Sequence, residues 1–482
     1  MTQVFEQNQQ TTPTPPWISS NQPPTVNSSS ANPPNVPSQP IESTQVKESI
    51  FKKIIPLAGV LILILIIYLI ISKVILPITK KAKQGALPAG KKISLTYWGL
   101  WEPENVINPL IADYQKTHPE VIITYSLQSY KDYRERLQSA LARGEGPDIF
   151  RFHHTWIPML KKDLAVAPND IAQVINLSSN YYPVAGEYLK VAGQTFAVPL
   201  EFDSIALFYN QKIFKAGGKI PPTTWEELRK TALDLTVKDA GGNIQVAGVA
   251  LGTTNNVDHF SDILGLMMLQ NSADLTKPTG SLAEDALKFY TLFVTTDRVW
   301  DKSLPASTYA FATEKVAMYF GPSWKVHDIK QLNPNLDFKI VPVPQLPETK
   351  VAWATFWAEG VAGKSKNTKA AWEFLAYLSS KEGLSKFYTN ASQVRSFGEP
   401  YPRIDMASEI ENDPFVGSFI KQGSYAKSGS LCSNTFDNGI NDRMIKYYED
   451  AVNAVLQNQP IATALATAAQ GVAQVLSQYG TK

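Results

Sequence analysis

Residues 93–154 read ISLTYWGLWE, PENVINPLIADYQKTHPE, VIITYSLQSYK, DYRERLQSALARGEGPD, IFRFHH. In the first piece Ile93, Leu95 and Tyr97 alternate with Ser94 and Thr96, the period of a half-buried strand. Asn108 to Lys116 carries Leu110, Ile111 and Tyr114 on one helical face, and His118-Pro119 stops it. Val121 to Tyr125 reads as a second strand. Tyr133, Leu137, Ala140 and Leu141 mark a helix that ends near Gly144, and Asp148 to Phe152 a third strand. Strands alternating with helices predict an α/β fold with a parallel sheet covered on both faces.

In such a sheet ligands bind beyond the carboxyl ends of the strands. Trp98, Trp101 and Glu102 follow the first strand, Gln128 the second, and His153, His154 and Trp156 the third. These aromatic and hydrogen-bonding side chains suit a polar ligand with apolar faces.

Further along, Ala206 to Tyr209 predicts a strand, and Thr224-Trp225-Glu226-Glu227 a capping box opening a helix with Trp225, Leu228, Ala232 and Leu235 inward. Phe338 to Val343 is strand-like. Ala371, Phe374, Leu375 and Leu378 mark a helix. Two last helices are separated by Pro460, the second with Leu465, Ala468, Val472 and Leu476 on one face.

Ahead of this globular part, residues 1–46 form a Pro-, Gln-, Asn-, Ser- and Thr-rich tail, predicted to be disordered. Ile54 to Ile71 is 18 residues without a charge, mostly Ile and Leu. As a helix it is about 27 Å long, close to a bilayer core. Snorkelling by Lys73 extends the span toward Leu76, so residues 52–78 are expected to be a retained transmembrane anchor. The run is long, starts past residue 50 and lacks a clean A-x-A site, which argues against a cleaved signal peptide. Residues 79–91 are expected to be a linker reaching roughly 20 Å. Lys80, Lys81, Lys83, Lys91 and Lys92 follow the span, and Lys47, Lys52 and Lys53 precede it. By itself the positive-inside rule puts the large domain in the cytoplasm.

The 482 residues include 45 basic and 43 acidic side chains, a net charge of +2 that gives no basis for binding nucleic acid. Cys432 is the lone cysteine, which excludes an internal disulfide and a multi-cysteine metal site. His153-His154 suggests a metal, but neighbours on a strand point to opposite faces, so a hydrogen-bonding role is expected. Asp148 is expected to fix a strand end, and Tyr209 and Trp225 to lie in the core. At least one of Trp353 and Trp357 should also be core, because they fall in an alternating run. No nucleophile elbow, metal-ligand cluster or phosphate loop marks an enzyme, and no cofactor is expected.

Seven segments in order resemble the extracellular solute-binding proteins of family 1, the group that includes maltose-binding protein. They are ISLTYWGLWE, PLIADYQKTHPEVIITY, ALARGEGPDIF, TFAVPLEFDSIALFYNQKIFKAG, PPTTWEELRKTA, EKVAMYFGPSW and KNTKAAWEFLAYLSSKEG. Glu314-Lys315 stands where the family has Gly-Lys. The resemblance covers about residues 92–480 and implies a two-lobed, type II periplasmic-binding-protein-like fold.

Lobe I is then expected at about 92–200 and 345–378, and lobe II at about 203–342 and 380–482. The implied crossings lie near Val198–Ser204, Val341–Pro347 and Leu378–Gly383. The implied function is to bind a sugar-like solute outside the cytoplasm, as a monomer, for the permease subunits of an ABC importer. By resemblance Glu201 is a cleft carboxylate, and Asp203, Glu359 and Arg395 lie where polar cleft groups arise. Trp324 matches an aromatic that stacks on sugar rings, a role open to Trp98, Trp353 and Trp357 as well. A membrane-anchored ligand sensor, or a carbohydrate-active enzyme with paired carboxylates, is the alternative.

Overall fold

Alternation in Ile93–Gly99 turns Leu95 and Tyr97 into the core and leaves Ser94 and Thr96 exposed, as the sequence predicts. The computed structural model describes residues 92–480, and the expected tail, anchor and linker lie outside the described residues. The first sheet has the order Val121–Leu127, Ile93–Gly99, Ile149–His153, Trp357–Val361, Ala197–Pro199. Its first three strands are parallel. Trp357–Val361 runs antiparallel to both neighbours, so the sheet is mixed, not wholly parallel. The reason is connectivity: this strand re-enters from the second sheet instead of following a helical crossover from Ile149–His153.

The second sheet has the order Phe338–Val341, Ile205–Asn210, Val316–Pro322, Ile244–Val249, Val237–Lys238 and is also mixed. Helices Trp225–Leu235, Phe260–Gln270 and Ser281–Thr295 belong to this half. The capping box forms as read: Thr224 Oγ1 accepts from Glu227 N at 3.2 Å, and Glu227 Oε2 accepts from Thr224 N at 3.2 Å. Trp225 is core, whereas Tyr209, expected there, is half-buried against Phe214. The last helices, Ile440–Leu456 and Ile461–Gln478, pack on each other and on Ser281–Thr295, burying Leu465, Ala468, Val472 and Leu476. Among the described residues no helix is long and apolar enough to cross a membrane.

The chain therefore forms two α/β lobes. It leaves the first sheet after Pro199 and enters the second at Ile205. It returns beside its own outgoing path, where Ser204 and Ala354 form an antiparallel bridge. The third crossing departs from expectation. Ser380 caps a new helix, Lys381–Ser392, that packs on Glu104–Thr117 of the first lobe, and Lys386 Nζ meets Asp113 at 2.8 Å. Arg403 still bridges Tyr181, and the chain then reaches the second sheet, where the Phe415 ring lies 6.3 Å from Phe338 and Ser418 of Gly417–Gln422 donates to Ile340 O at 2.8 Å. The crossing thus lies between Arg403 and Gly417, not at 378–383.

Candidate ligand cleft

Two close approaches shape the turn after the first strand. A Cβ on Gly99 would lie 2.3 Å from Tyr125 Oη, so only glycine lets that ring pass. The Tyr125 hydroxyl then donates to Glu102 O at 2.6 Å. Trp101 takes φ 72°, an uncommon left-handed backbone for a bulky residue. The turn sends Glu102 inward and leaves Trp101 half-buried.

Inside, Arg151 joins two carboxylates. Its strand pairs with Trp357–Val361 in a register that sets Arg151 directly opposite Glu359. Arg151 Nε meets Glu359 Oε1 at 2.6 Å, and Arg151 Nη1 bonds Glu102 Oε2. Tyr97 Oη donates to Glu359 Oε1 at 3.0 Å, and Glu359 Oε2 is buried without a partner. Glu102 also meets Glu399, which pairs with Arg395. Burial, reinforced by Glu399, pushes the Glu102 carboxyl up to about 8 despite Arg151. Burial acts on Glu399 the same way, but Arg395 and the Glu102 bond outweigh it and hold Glu399 below the usual range. The two carboxyl groups, bonded to each other, share one proton.

Glu201 and Asp203 sit on the outgoing crossover. Glu201 is 7% exposed, and its Oε1 accepts from Trp357 N at 2.6 Å. Burial and then Glu399 push it well above the carboxyl range. Asp203 engages both oxygens within the fold, accepting from Ser323 Oγ at 2.8 Å, Ser323 N at 3.0 Å and Ser204 N at 2.7 Å. Burial nevertheless carries it up to about 7. It fastens the crossover to the second lobe. Arg395 is similarly committed, to Glu399 and to Phe397 O.

Above these groups lies an aromatic platform. The Trp101 ring stacks on Tyr130 at 5.8 Å and meets Trp357 edge-on at 5.6 Å. Phe436, itself at φ 53°, packs 4.6 Å from Tyr130 and 6.4 Å from Trp101. Trp101 Nε1 is buried without a partner. From the second lobe Trp324 is 37% exposed, with Lys325 Nζ 4.4 Å over one face and His259 at its edge. One indole face is thus occupied by an ammonium.

The remaining expected residues lie apart from this platform or inside the fold. Trp98 is on the sheet face opposite Tyr97 and makes no ring contact with the Trp101 group among the described residues. The Gln128 side chain bonds Ser126 and Arg136. Trp353 is core and donates to Asp262 at 2.9 Å. Asp148 ties strand ends by accepting from Thr96 N at 2.8 Å, the structural role read for it.

The two histidines correct an expectation about direction. The strand ends at His153 and a 3-10 turn starts at His154, so both rings fall on one side, 4.3 Å apart. Burial holds both below the usual imidazole range, so they are neutral. With Cys432 they form a trio of metal-ligand types whose atoms lie within 4.8 Å. Ser428 Oγ stands between two of them, 2.8 Å from His154 Nε2 and 3.4 Å from Cys432 Sγ. Thr355 and Thr155 hydroxyls engage His153. As built, the trio is a hydrogen-bonded chain through hydroxyls.

The sequence reading missed Arg151, Glu399, Tyr130 and Phe436. Arg151 had a signal, since a charge inside an apolar strand needs buried partners. Nothing local marks Phe436 or Glu399, whose roles come from tertiary contacts.

A family model for bacterial extracellular solute-binding proteins matches residues 109–413. The chain is 24% identical over 332 residues to the maltotriose-binding protein of Pyrococcus abyssi, covering 66% of this chain and 68% of that one. The sugar-binding protein MalE of Xanthomonas citri has the same fold, with TM-score 0.67 at 18% identity over 80% of this chain and 98% of that one. So does an ABC transporter solute-binding protein of Thermotoga lettingae bound to α-D-tagatose, with TM-score 0.62 at 20% identity over 80% of this chain and all of its own, 100%. The match across most of the two-lobed region establishes that the chain belongs to the bacterial extracellular solute-binding protein family.

Proposed function

We propose that the chain captures a saccharide outside the cytoplasm and delivers it to the permease subunits of an ABC importer. One observation carries the reading: an aromatic platform of Trp101, Tyr130, Trp357 and Phe436 beside buried carboxyl groups. Sugar rings have apolar faces that stack on indole and hydroxyls that donate to carboxylates. Micromolar affinity needs about 8 kcal/mol net, within reach of a few stacked rings and buried hydrogen bonds.

In this reading Trp101, Trp357 and Glu201 touch ligand from the first lobe and Trp324 from the second. Asp203 acts as the hinge fastening, and the lobes close on the solute. Lobe I comprises about residues 92–200 and 345–410, and lobe II about 203–342 and 417–480. The apolar span at 54–76, uncharged from Ile54 to Ile71, tethers the lobes to the outer face of the membrane as a monomer, and the protein is a binder, not a catalyst.

A thermal-shift screen of the full-length protein over a carbohydrate panel tests the function. A saccharide at 100 times its Kd should add about 2.7 kcal/mol of stability. A panel in which no saccharide raises Tm, while a non-sugar solute does, contradicts it.

A further inference from the structure

Of the non-glycine residues described with a left-handed φ, only two are aromatic, Trp101 at 72° and Phe436 at 53°, and their rings meet at 6.4 Å. A bulky side chain in that region is an outlier, and such strain persists only where the surroundings enforce it. Phe436 sits in a run with Asn434 at φ 58° and Asn438 at φ 44°. Asparagine tolerates this backbone, and phenylalanine does not. The run is fixed at its two ends. Ser433 N donates to Asp262 Oδ1 at 3.2 Å, and Ser433 Oγ lies 2.9 Å from Nδ1 of His259, the ring at the edge of Trp324 in the second lobe. Asp437 is fully buried. Its Oδ1 accepts from Gly439 N at 2.9 Å and its Oδ2 from Asn441 N at 3.0 Å, at the start of the Ile440–Leu456 helix. Its carbonyl oxygen accepts from Arg134 Nε of the first lobe. Between these anchors, among the described residues, no hydrogen bond holds Phe436, and Thr435 Oγ1 is buried without a partner. The Phe436 ring is 37% exposed. A strained segment with unmade hydrogen bonds and a half-open ring has low local stability.

This strap carries a ring from the C-terminal segment onto the platform of the first lobe, 4.6 Å from Tyr130 and 6.4 Å from Trp101. An aromatic ring packed there covers surface that the apolar face of a sugar needs for stacking. Resting on the saccharide reading above, we infer that Phe436 is a removable plug: in the free protein its ring stands in for the sugar against Trp101 and Tyr130, and the incoming saccharide displaces it. The ligand then gains the aromatic surface, and Phe436 leaves its left-handed backbone. Ser433 and Asp437 are the fixed ends about which the strap swings. The plug divides the intrinsic affinity by the fraction of molecules in which the platform is open. Trp101 and Phe436 thus have opposite effects on binding, although their rings are neighbours.

Calorimetry on the full-length protein with maltotriose, cellotriose and raffinose tests this by comparing wild type with Phe436→Gly. Glycine keeps the left-handed backbone accessible and removes only the ring. The sugar that binds should do so about threefold or more tighter in Phe436→Gly, and a sugar bound by the variant alone also supports the plug. A second measurement leaves the strap intact: para-fluorophenylalanine placed at position 436 of the full-length protein and followed by fluorine NMR. Its line, displaced by the platform rings in the free protein, should move to the solvent-exposed position as the sugar saturates. Equal or weaker binding by Phe436→Gly, or a fluorine line that stays in place at saturation, overturns the plug and leaves the saccharide reading intact. Failure of all three sugars to bind either protein overturns both.

Discussion

Arg151 is the residue on which the buried network depends. It bonds two buried carboxyl groups, Glu102 and Glu359, from a strand that is otherwise closed to water. Arg151→Ala leaves Glu102 and Glu359 buried without their cation, and should cost about 3–5 kcal/mol in urea unfolding. Glu102 supplies the pH dependence. Its pKa is raised to about 8 in the folded protein and Asp203's to about 7, so the folded state binds these protons more tightly than the unfolded chain. That stability is fully present below the ordinary carboxyl range and is lost as pH rises toward about 8. Urea midpoints should therefore fall over this window, and Glu102→Gln, which keeps the donor but cannot ionise, should flatten the slope. An unchanged slope contradicts the shared-proton account. Little of this network was legible in the sequence. Glu102, Glu201, Glu359 and Arg395 were singled out as ligand groups, yet Glu102 and Glu359 bond Arg151, and Arg395 bonds Glu399. Sequence reveals that a polar residue sits at a strand end, but not whether a guanidinium from another strand has already taken it.

Elements with strong local rules were legible. The Thr224 capping box was read from four letters because its two reciprocal hydrogen bonds depend only on local spacing. Thr224→Ala should destabilise the protein by about 1 kcal/mol, seen as a small drop in Tm without change in fold. The first strand and the Tyr133–Arg143 helix, ended by Gly144 at φ 74°, were legible for the same reason. Elements whose placement depends on distant packing were not. The Glu104–Thr117 helix starts before the predicted Asn108, with Pro109 inside it and not at its first turn. Lys381–Ser392 has ordinary helical patterning, and only the Asp113–Lys386 pair and its packing show which lobe it joins. His153 and His154 were misread because the alternation rule stops at a strand's last residue.

At the scale of the whole molecule, the two-lobed α/β architecture was legible from strand–helix alternation and seven ordered segments, whereas the antiparallel return strand was not. Three passages of chain join the lobes, and the residues proposed to hold ligand come from both sides: Trp101 and Trp357 from one, Trp324 from the other. A ligand gripped from both lobes favours the closed arrangement by its differential contacts alone. Calorimetric titration of the best saccharide from the panel into wild type, Trp101→Ala and Trp324→Ala tests this most directly. The account predicts saturable one-to-one binding to wild type, weakened by about 1–3 kcal/mol in each variant, with both still cooperatively folded. Wild-type affinity in both variants, or no saccharide binding to the intact chain, would contradict it.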